Sequence, residues 1–390
     1  MTACDVAVVG AGPAGSAAAL ALAQRGVNVA LLERAALPRH KTCGGGVVYR
    51  AAQIAGLDLS SVIERPCRRA ALHLHDIDRH FVVRREQPLI QMAMRDRLDA
   101  LLVARAVGAG ARLLAPCRVR ELAVSGARVR LGTDQGAVWA DFVVAADGAT
   151  GDIPRLAGWR DDHHAIPALE YEVAVDDATL RRFADEPRFD VGIGRGYAWV
   201  FPKATHLSVG ILSTRRGTRD LQDTLARYLA LMGITAAASG AGPAERRHGY
   251  VIPVRRRAGP LVRGRVLAAG DAAGLADPLT AEGISFALRS GQLAGQVLAA
   301  GLADPARVRV AYHRELGREI FPELRIGRLF ATLLYDYPWI RAWVFRTWGQ
   351  GLTEALADVF LGEQAYRHTP GRALRQLERR ARHALTSVRP

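Results

Sequence analysis

A glycine-rich turn between a short apolar segment and a helix-forming segment constrains this chain more than any other feature. The turn is Gly10-Ala-Gly12-Pro-Ala14-Gly15, and a second apolar segment ends just before Glu33. Glycines at these spacings allow a tight turn, close approach of the backbone to a pyrophosphate and close packing of helix on strand. The pattern predicts a βαβ dinucleotide-binding unit. Ala14 would lie at the helix start, and Glu33 with its neighbour Arg34 would lie at the ribose.

Composition and patterning remove several alternatives. The 390-residue chain has no run of 18 apolar residues that could cross a membrane, and it enters its first strand without a charged leader, so we expect a cytoplasmic protein. Its four cysteines lack metal-ligand spacing and are expected to be reduced, and we predict no metal site. The net charge is +15, but no nucleic-acid-binding module accompanies it, so we expect no nucleic-acid partner.

Two later segments repeat the theme of an apolar strand that ends in a turn with an acidic residue. In the first, residues 141–146 lead into Asp147-Gly148. In the second, residues 266–269 lead into Gly270-Asp271, and a helix rich in small residues is expected over 281–300, with the predicted cofactor-binding residues Gly283 and Ile284 in its first turn. The carboxylate of Asp271 can accept a sugar hydroxyl, and the helix start can direct backbone amides toward developing negative charge on a cofactor ring.

In this order and spacing, the three segments resemble the glutathione-reductase-type flavoprotein superfamily, in its p-hydroxybenzoate hydroxylase branch. The resemblance covers residues 1–300 and implies that the dinucleotide is FAD. It also places Arg95, the first residue of the segment Arg-Asp-Arg-Leu-Asp, near the FAD pyrophosphate.

Hydrophobic periodicity predicts an α/β fold with three parts. A discontinuous Rossmann-like FAD-binding domain is expected over 1–68, 95–160 and 255–300. An inserted antiparallel-sheet substrate domain is expected over 69–94 and 161–254, because these residues alternate apolar and polar types. Residues 301–390 are expected to form a helical C-terminal region with a basic tail.

Two further motifs contain the only lysines of this arginine-rich chain. The first is Lys41-Thr-Cys43-Gly44-Gly45-Gly46; the second is Tyr197-Ala-Trp199-Val-Phe201-Pro202-Lys203. They resemble the KxCGG and YxWxFPK signatures of the geranylgeranyl reductase family of FAD-dependent oxidoreductases. Three glycines allow backbone to pass close to a flavin ring, and alternation along the second motif places three aromatic rings on one face of a strand.

The resemblance implies hydride transfer from reduced flavin to an isoprenoid double bond, with a proton added to the other carbon. The implied cofactor contacts include Cys43, Gly44 and Gly45, and Cys43 and Tyr197 are candidates for placing the proton. The implied substrate-binding residues are Tyr197, Trp199, Phe201, Pro202 and Lys203. The sequence departs from the family pattern at Ala281 and Leu212, where glycine is usual or frequent, and these departures concern substrate identity more than FAD.

Other functions share the same cofactor segments. A flavin-dependent monooxygenase or halogenase acting on an aromatic substrate would carry all three, as would a flavoprotein that only carries electrons. A halogenase needs a dedicated lysine, and both lysines lie in the reductase-like motifs. No second dinucleotide fingerprint is present, so NADPH would bind transiently or another electron donor would replace it.

The C-terminal region suggests contact with lipid. Residues 330–348 mix seven aromatic residues with arginine, and residues 367–390 carry seven arginines against one acidic residue, Glu378. Such segments suit the mouth of a lipid tunnel or the surface of an anionic membrane, so the protein could be peripheral on the inner face of the membrane. A helical cap packed on the second domain, with a solvated tail, explains the same pattern.

Overall fold

The computed structural model describes residues 2–160, 165–215, 218–236 and 245–366. The strands are β1 Thr2–Val9, β2 Val29–Leu32, β3 Gly46–Val48, β4 Ile63–Cys67, β5 Arg69–Leu74, β6 Arg79–Arg84, β7 Ile90–Ala93, β8 Arg112–Leu114, β9 Val119–Ser125, β10 Arg128–Thr133, β11 Gly136–Ala145, β12 Ala165–Ala174, β13 Arg188–Val191, β14 Gly196–Pro202, β15 His206–Ser213, β16 Glu245–Pro253, β17 Val262–Arg263 and β18 Val266–Ala268. The helices are α1 Pro13–Ala23, α2 Tyr49–Ala55, α3 Arg95–Gly108, α4 Ile153–Leu156, α5 Asp177–Phe183, α6 Leu221–Leu231, α7 Ile284–Gly301, α8 Pro305–Glu319, α9 Phe321–Tyr335 and α10 Pro338–Leu361, with a short 3₁₀ helix at Gly270–Ala273.

The first sheet, which we call the cofactor sheet, contains the predicted βαβ unit. Its parallel core runs in the order β18-β11-β1-β2-β8, with β17, β10 and β9 added in antiparallel pairings. The central parts of the core strands are buried and apolar because parallel sheets are covered on both faces. Helix α1 packs against α7, where a Cβ at Gly291 or Gly295 would collide with α1 backbone. This contact explains the small-residue composition of α7.

The second sheet, which we call the aromatic sheet, has the order β16-β12-β15-β14-β13-β5-β6. Every pairing is antiparallel except β13 with β5, which come from distant parts of the chain and run parallel. Strand β14 is buried along its whole length. One of its faces packs against α5 and α6, and the other carries Tyr197, Trp199 and Phe201. The fold class predicted from the sequence is therefore confirmed, with one parallel pairing that the prediction lacked.

A small third sheet was not predicted. Strand β7 pairs with β3 on one side and β4 on the other, so that Gly46 is opposite Met92. Because β3 has only three residues, periodicity in the sequence could not reveal it. Strand β7, expected in the layer formed by 69–94, instead fixes the end of the glycine loop.

The C-terminal helices cover one end of the aromatic sheet. Helix α10 packs on β6, where a Cβ at Gly349 would collide with the Phe81 ring, and buried Arg341 pairs with Asp76 at 2.6 Å. The predicted basic tail at 367–390 lies outside the described residues. Within the part of the chain that the structure describes, no helix is both long and apolar enough to cross a membrane.

Candidate active site

A large cavity lies between the cofactor sheet and the aromatic sheet. Most of the residues predicted to bind a cofactor or substrate line it: Gly10, Gly12, Ala14, Glu33, Arg34, Cys43, Gly44, Gly45, Arg95, Asp147, Tyr197, Trp199, Phe201, Asp271, Gly283 and Ile284. Gly15, Pro202 and Lys203 are not among its lining residues. The five sequence segments, dispersed over 275 residues of chain, therefore converge on one space.

In the glycine turn, a side chain would find space at one of the three glycines and would collide with backbone at the other two. Gly10 has φ +100°, and a Cβ there would collide with the carbonyl of Ala146; a Cβ at Gly15 would collide with the carbonyl of Gly10. At Gly12 the nearest atom to an added Cβ is a guanidinium nitrogen of Arg39, at 3.9 Å. Gly12 thus leaves open space directly at the N-terminus of α1, where backbone amides favour an anionic group.

A chain of charges borders this end of the cavity. The buried carboxylate of Glu33 accepts hydrogen bonds from the amides of Ala11 (3.0 Å) and Ala35 (3.2 Å) and pairs with Arg39 at 3.2 Å. Arg39 also pairs with Asp99 at 2.9 Å, and Asp99 receives two hydrogen bonds from Arg95. Burial opposes the charge on Arg95, but the Asp99 carboxylate outweighs it and raises the Arg95 pKa.

Asp147 presents an unsatisfied buried acceptor. Its Oδ2 accepts the amide of Ile153 at 2.8 Å, whereas its buried Oδ1 has no hydrogen-bond partner among the described residues. Burial raises the pKa of Asp147 to about 6. A buried oxygen without a partner is costly, so this position favours a ligand that donates a hydrogen bond.

The glycine loop 43–46 passes close under the aromatic row of β14. A Cβ at Gly44 would lie 3.0 Å from both the Phe201 ring and Trp199 Nε1. The ring centroids of Tyr197 and Trp199 are 5.9 Å apart, and those of Trp199 and Phe201 are 6.1 Å apart. The predicted aromatic row therefore exists, and a side chain at Gly44 would have to displace its rings, whereas a Cβ at Gly45 would collide with the carbonyl of Ala93.

Lys203 holds this loop in place through hydrogen bonds to backbone carbonyls. Its fully buried ammonium donates hydrogen bonds to the carbonyls of Gly44 at 2.7 Å and Ala93 at 3.2 Å. These contacts differ from the substrate contact predicted from the sequence: the ammonium is occupied by backbone carbonyls behind the cavity wall. The lysine ties the glycine loop to the end of β7.

Cys43 and Tyr197, the two candidates for placing a proton, have different surroundings. The half-buried Cys43 thiol accepts the amide hydrogen of Gly45 at 3.4 Å, and the Cys43 amide donates to Glu170 at 2.8 Å. The Tyr197 hydroxyl donates to the carbonyl of Thr280 at 2.6 Å, and burial raises its pKa. Its proton is already held by that carbonyl, so the geometry favours Cys43.

Lys41, the other lysine, does line the cavity. Its ammonium lies 3.3 Å from the centroid of the Tyr250 ring and donates to the carbonyl of Thr42 at 3.1 Å. Burial, followed by the charge of Arg95, lowers the Lys41 pKa to about 8. Sequence reasoning assigned this side chain no contact of its own.

The loop 277–282 before α7 is tied down by three tyrosines. Beside the contact from Tyr197, Tyr335 donates to the carbonyl of Leu279 and Tyr366 to the carboxylate of Asp277, at 2.6 and 2.7 Å. The helix begins at Ile284, three residues later than predicted, because Ala281 has φ +56° and cannot be helical. Glu282, which sequence reasoning missed, lines the cavity and accepts the amide of Ser285 at 2.7 Å.

Among the residues that the structure describes, one group outside this cavity has metal-ligand chemistry. The side chains of His73, His75 and Asp190 come within 4.8 Å of one another. The guanidinium of Arg188 is inserted among them, donating to both Asp190 oxygens and contacting His73 Nδ1 at 2.7 Å. Burial opposes ionisation of Asp190, but hydrogen bonds from His75, Arg188 and Tyr228 lower its pKa to about 2. Because the positively charged Arg188 guanidinium occupies the space between these side chains, it opposes metal binding, and we interpret the cluster as a structural hydrogen-bond network.

Comparison with known proteins agrees with this geometry. The profile of the FAD binding domain family matches residues 3–315. Digeranylgeranylglycerophospholipid reductase 2 of Methanopyrus kandleri is 31% identical, with coverage of 84% of this chain and 87% of that protein. This chain belongs to the geranylgeranyl reductase family of FAD-dependent oxidoreductases.

Solved structures place this reductase-family chain in the same fold. A geranylgeranyl bacteriochlorophyll reductase-like protein of Thermoplasma acidophilum superposes with a TM-score of 0.76 and 25% identity, over 86% of this chain and 88% of that one. The flavin-dependent brominase Bmp2 superposes nearly as well, with a TM-score of 0.75 at 20% identity, over 97% and 100% of the two chains. The fold alone therefore does not separate reductases from halogenases.

The cavity fits the FAD that the family binds. The open space at Gly12, the unpartnered Asp147 Oδ1 and the close-packed glycine loop are features that a dinucleotide with a flat ring system would use. Sequence reasoning missed Arg39, Asp99 and Glu170, which hold the predicted residues in place. The spacing of Arg95 and Asp99, one helical turn apart, is the signal that could have revealed one of these contacts.

Proposed function

We propose that this protein is an FAD-dependent reductase that saturates isoprenoid double bonds of the geranylgeranyl type. The observation that carries the proposal is the apolar and aromatic part of the cavity lining that adjoins the glycine loop. It is formed by Val48, Ile90, Phe189, Leu212 and Phe360 together with the β14 row. A wall of this kind suits a hydrocarbon chain, and it meets the polar cofactor half at Cys43–Gly46.

In this proposal the two sheets divide the work. The segments 1–68, 95–160 and 255–300 hold FAD through Gly12, Asp147 and Asp271, and the segments 69–94 and 161–254 supply most of the wall that holds the hydrocarbon. Bound FAD in its reduced form supplies a hydride to one alkene carbon. The protein contributes a dry aromatic channel that excludes water and a thiol, Cys43, that holds the proton for the other carbon.

The electron donor is a separate part of the proposal. The sequence has one dinucleotide fingerprint, and its open position at Gly12 belongs to the FAD half of the cavity. We therefore propose that NADPH, or another donor in its place, reduces the flavin in a transient encounter. Flavin reduction by NADPH without oxygen, compared with dithionite, would measure this directly.

The exposed aromatic side chains of the C-terminal helices support a proposal of peripheral membrane association. Trp339 is 71% exposed and Trp343 60% exposed, and Tyr337 and Leu329 lie exposed in the same helical region. Large aromatic side chains at the surface suit the interfacial layer of a lipid bilayer. Flotation with anionic liposomes should carry the protein upward, and Trp339→Ser with Trp343→Ser should abolish flotation; equal recovery with and without liposomes would contradict the proposal.

The central experiment is anaerobic turnover with dithionite-reduced enzyme and a panel of polyprenyl compounds, with mass spectrometry of the products. A mass increase of two hydrogens per double bond is the expected result. The alternative, an aromatic monooxygenase or halogenase, would instead require oxygen and would insert oxygen or halogen into an aromatic compound. If none of these substrates oxidises the reduced flavin, the proposal is overturned, and an electron-carrying flavoprotein is the remaining alternative.

A further inference from the structure

A row of ionisable side chains leads from the surface to the cavity along one face of the aromatic sheet. Glu170 and Glu172 are two residues apart on β12, so they share a face, as do His206 and Ser208 on the neighbouring strand β15. Such a polar row through an otherwise apolar sheet is unusual because each buried polar group costs free energy unless it is paired.

The groups of this row follow one another from His206 to Cys43. His206 Nε2 lies 2.6 Å from Glu172 Oε2, and Glu172 adjoins Glu170 on the same face of β12, where its negative charge acts on the Glu170 carboxyl. Glu170 Oε1 accepts the Ser208 hydroxyl at 2.7 Å, and Oε2 accepts the amide of Cys43 at 2.8 Å. Exposure decreases in the same direction: the side chains of His206 and Glu172 are 20% and 11% exposed, and Glu170 is 2% exposed but lines the cavity.

The surrounding charges shift the pKa values of the two glutamates in opposite directions, so Glu170 holds a proton more readily than Glu172. Burial, then the neighbouring Glu172 carboxylate, raises the pKa of Glu170 to about 7. Burial opposes ionisation of Glu172 as well, but His206 outweighs it and lowers the Glu172 pKa. The other groups facing the pair are Lys203, His40, and the two β16 residues His248 and Arg246, which lie opposite Glu170 and Glu172.

We propose that His206, Glu172 and Glu170 form a proton relay from the protein surface to the cavity wall at Cys43. The inference rests on the proposed reduction, which consumes one proton for every hydride. The Cys43 S–H bond breaks as its proton forms a C–H bond at one alkene carbon, while the hydride from reduced FAD adds to the other. The thiolate then takes the proton of the Glu170 carboxyl, Glu170 is reprotonated by way of Glu172 and His206, and the imidazole takes a proton from water.

A purely structural role for Glu170 would not need an acid. Glutamine at this position could accept the Cys43 amide with its Oε1 and donate with its Nε2 to the Ser208 hydroxyl, without the cost of a buried ionisable group. Glu170→Gln therefore separates the two roles, because it retains the loop contact and removes the transferable proton.

The first test is single-turnover oxidation of the reduced enzyme by a polyprenyl substrate, without oxygen, across pH. Glu170 is protonated below about pH 7 and ionised above it, so the wild-type rate should fall as the pH rises through that value. Glu170→Gln should slow the reaction by about tenfold or more and remove this pH dependence. His206→Ala should slow it in the same way, and added imidazole should restore the rate because His206 is partly exposed.

Two matched variants control for general damage. Glu323→Gln changes a buried glutamate that accepts the amide of Tyr366 and does not line the cavity, and His313→Ala changes an exposed histidine on α8. Both should keep the wild-type pH profile. If Glu170→Gln and His206→Ala also keep it, or if imidazole fails to restore His206→Ala, the relay is wrong.

A second readout needs no turnover. Infrared spectroscopy of the FAD-loaded protein should show a carboxylic acid C=O band that disappears as the pH rises through about 7, and Glu170→Gln should lack it. If that band titrates but no polyprenyl compound oxidises the reduced flavin, the proposed function fails while the buried acid remains established. If the flavin is oxidised but no such band exists, the relay alone fails.

Discussion

The two halves of the cavity are built on different principles. The cofactor half consists of backbone and small residues: a glycine with φ +100°, a helix N-terminus and carboxylates held by arginines. The aromatic half consists of large side chains from strands that are distant in sequence, with Lys203 and Glu170 buried among them. Backbone geometry permits few residue types, whereas packing permits many, so the first half is expected to tolerate substitution less than the second.

The strongest test of this contrast compares two glycines three residues apart. Gly15→Ala places a Cβ against the Gly10 carbonyl and should lower the free energy of unfolding by about 3 kcal/mol. Gly12→Ala has open space, so unfolding should change by less than about 0.5 kcal/mol, while the Kd for FAD rises about tenfold or more because the backbone can no longer approach the pyrophosphate. Denaturant unfolding of the apoprotein measures the stability of each variant, and flavin fluorescence titration measures its Kd for FAD. Equal stability of the two variants would contradict the expected difference between the two glycines.

The two lysines provide the next test. Lys203→Met leaves two buried carbonyls without a donor and should cost about 2–4 kcal/mol of unfolding free energy. Lys41→Met removes a cation–π contact with Tyr250 and should cost about 1 kcal/mol. Urea denaturation of both variants gives the comparison. A larger loss for Lys41→Met would show that Lys203 does not support the glycine loop.

Leucine-to-alanine changes on β15 sharpen the comparison within the aromatic half. Leu212 lines the cavity, whereas Leu207 is buried on the other face of the same sheet. Both changes should destabilise the fold by about 2–4 kcal/mol, but only Leu212→Ala should shift the ratio of kcat/KM toward bulkier prenyl substrates, by roughly tenfold. FAD affinity should stay the same in both, as measured by titration.

The smallest expected effect is a gain in stability in the loop where the halves meet. Ala281 has φ +56°, a conformation that glycine adopts without strain. Ala281→Gly should therefore raise the free energy of unfolding by up to about 1 kcal/mol, whereas Ala300→Gly within α7 should lower it by about 1 kcal/mol. Thermal unfolding distinguishes the two signs. A lower Tm for Ala281→Gly would mean that the side chain packs favourably enough to outweigh the strain.

The same contrast explains what could be predicted from the sequence. The βαβ unit around the glycine turn and the strand before Asp147 follow from local pattern and were predicted. The Arg39–Asp99 pair joins residues 60 positions apart, and Glu170 meets Cys43 across 127 positions, so no local pattern contains these contacts. A signal did exist at Glu170 and Glu172: two acids spaced for one face of a strand that is otherwise apolar.

The three tyrosine hydroxyls that grip the loop 277–282 come from β14, from α9 and from the segment after α10. A ligand that displaces the Tyr197 ring would therefore also displace the loop 277–282, which borders the predicted flavin site. We therefore expect a ligand bound in the aromatic half of the cavity to change the absorption spectrum of bound flavin before any reaction takes place.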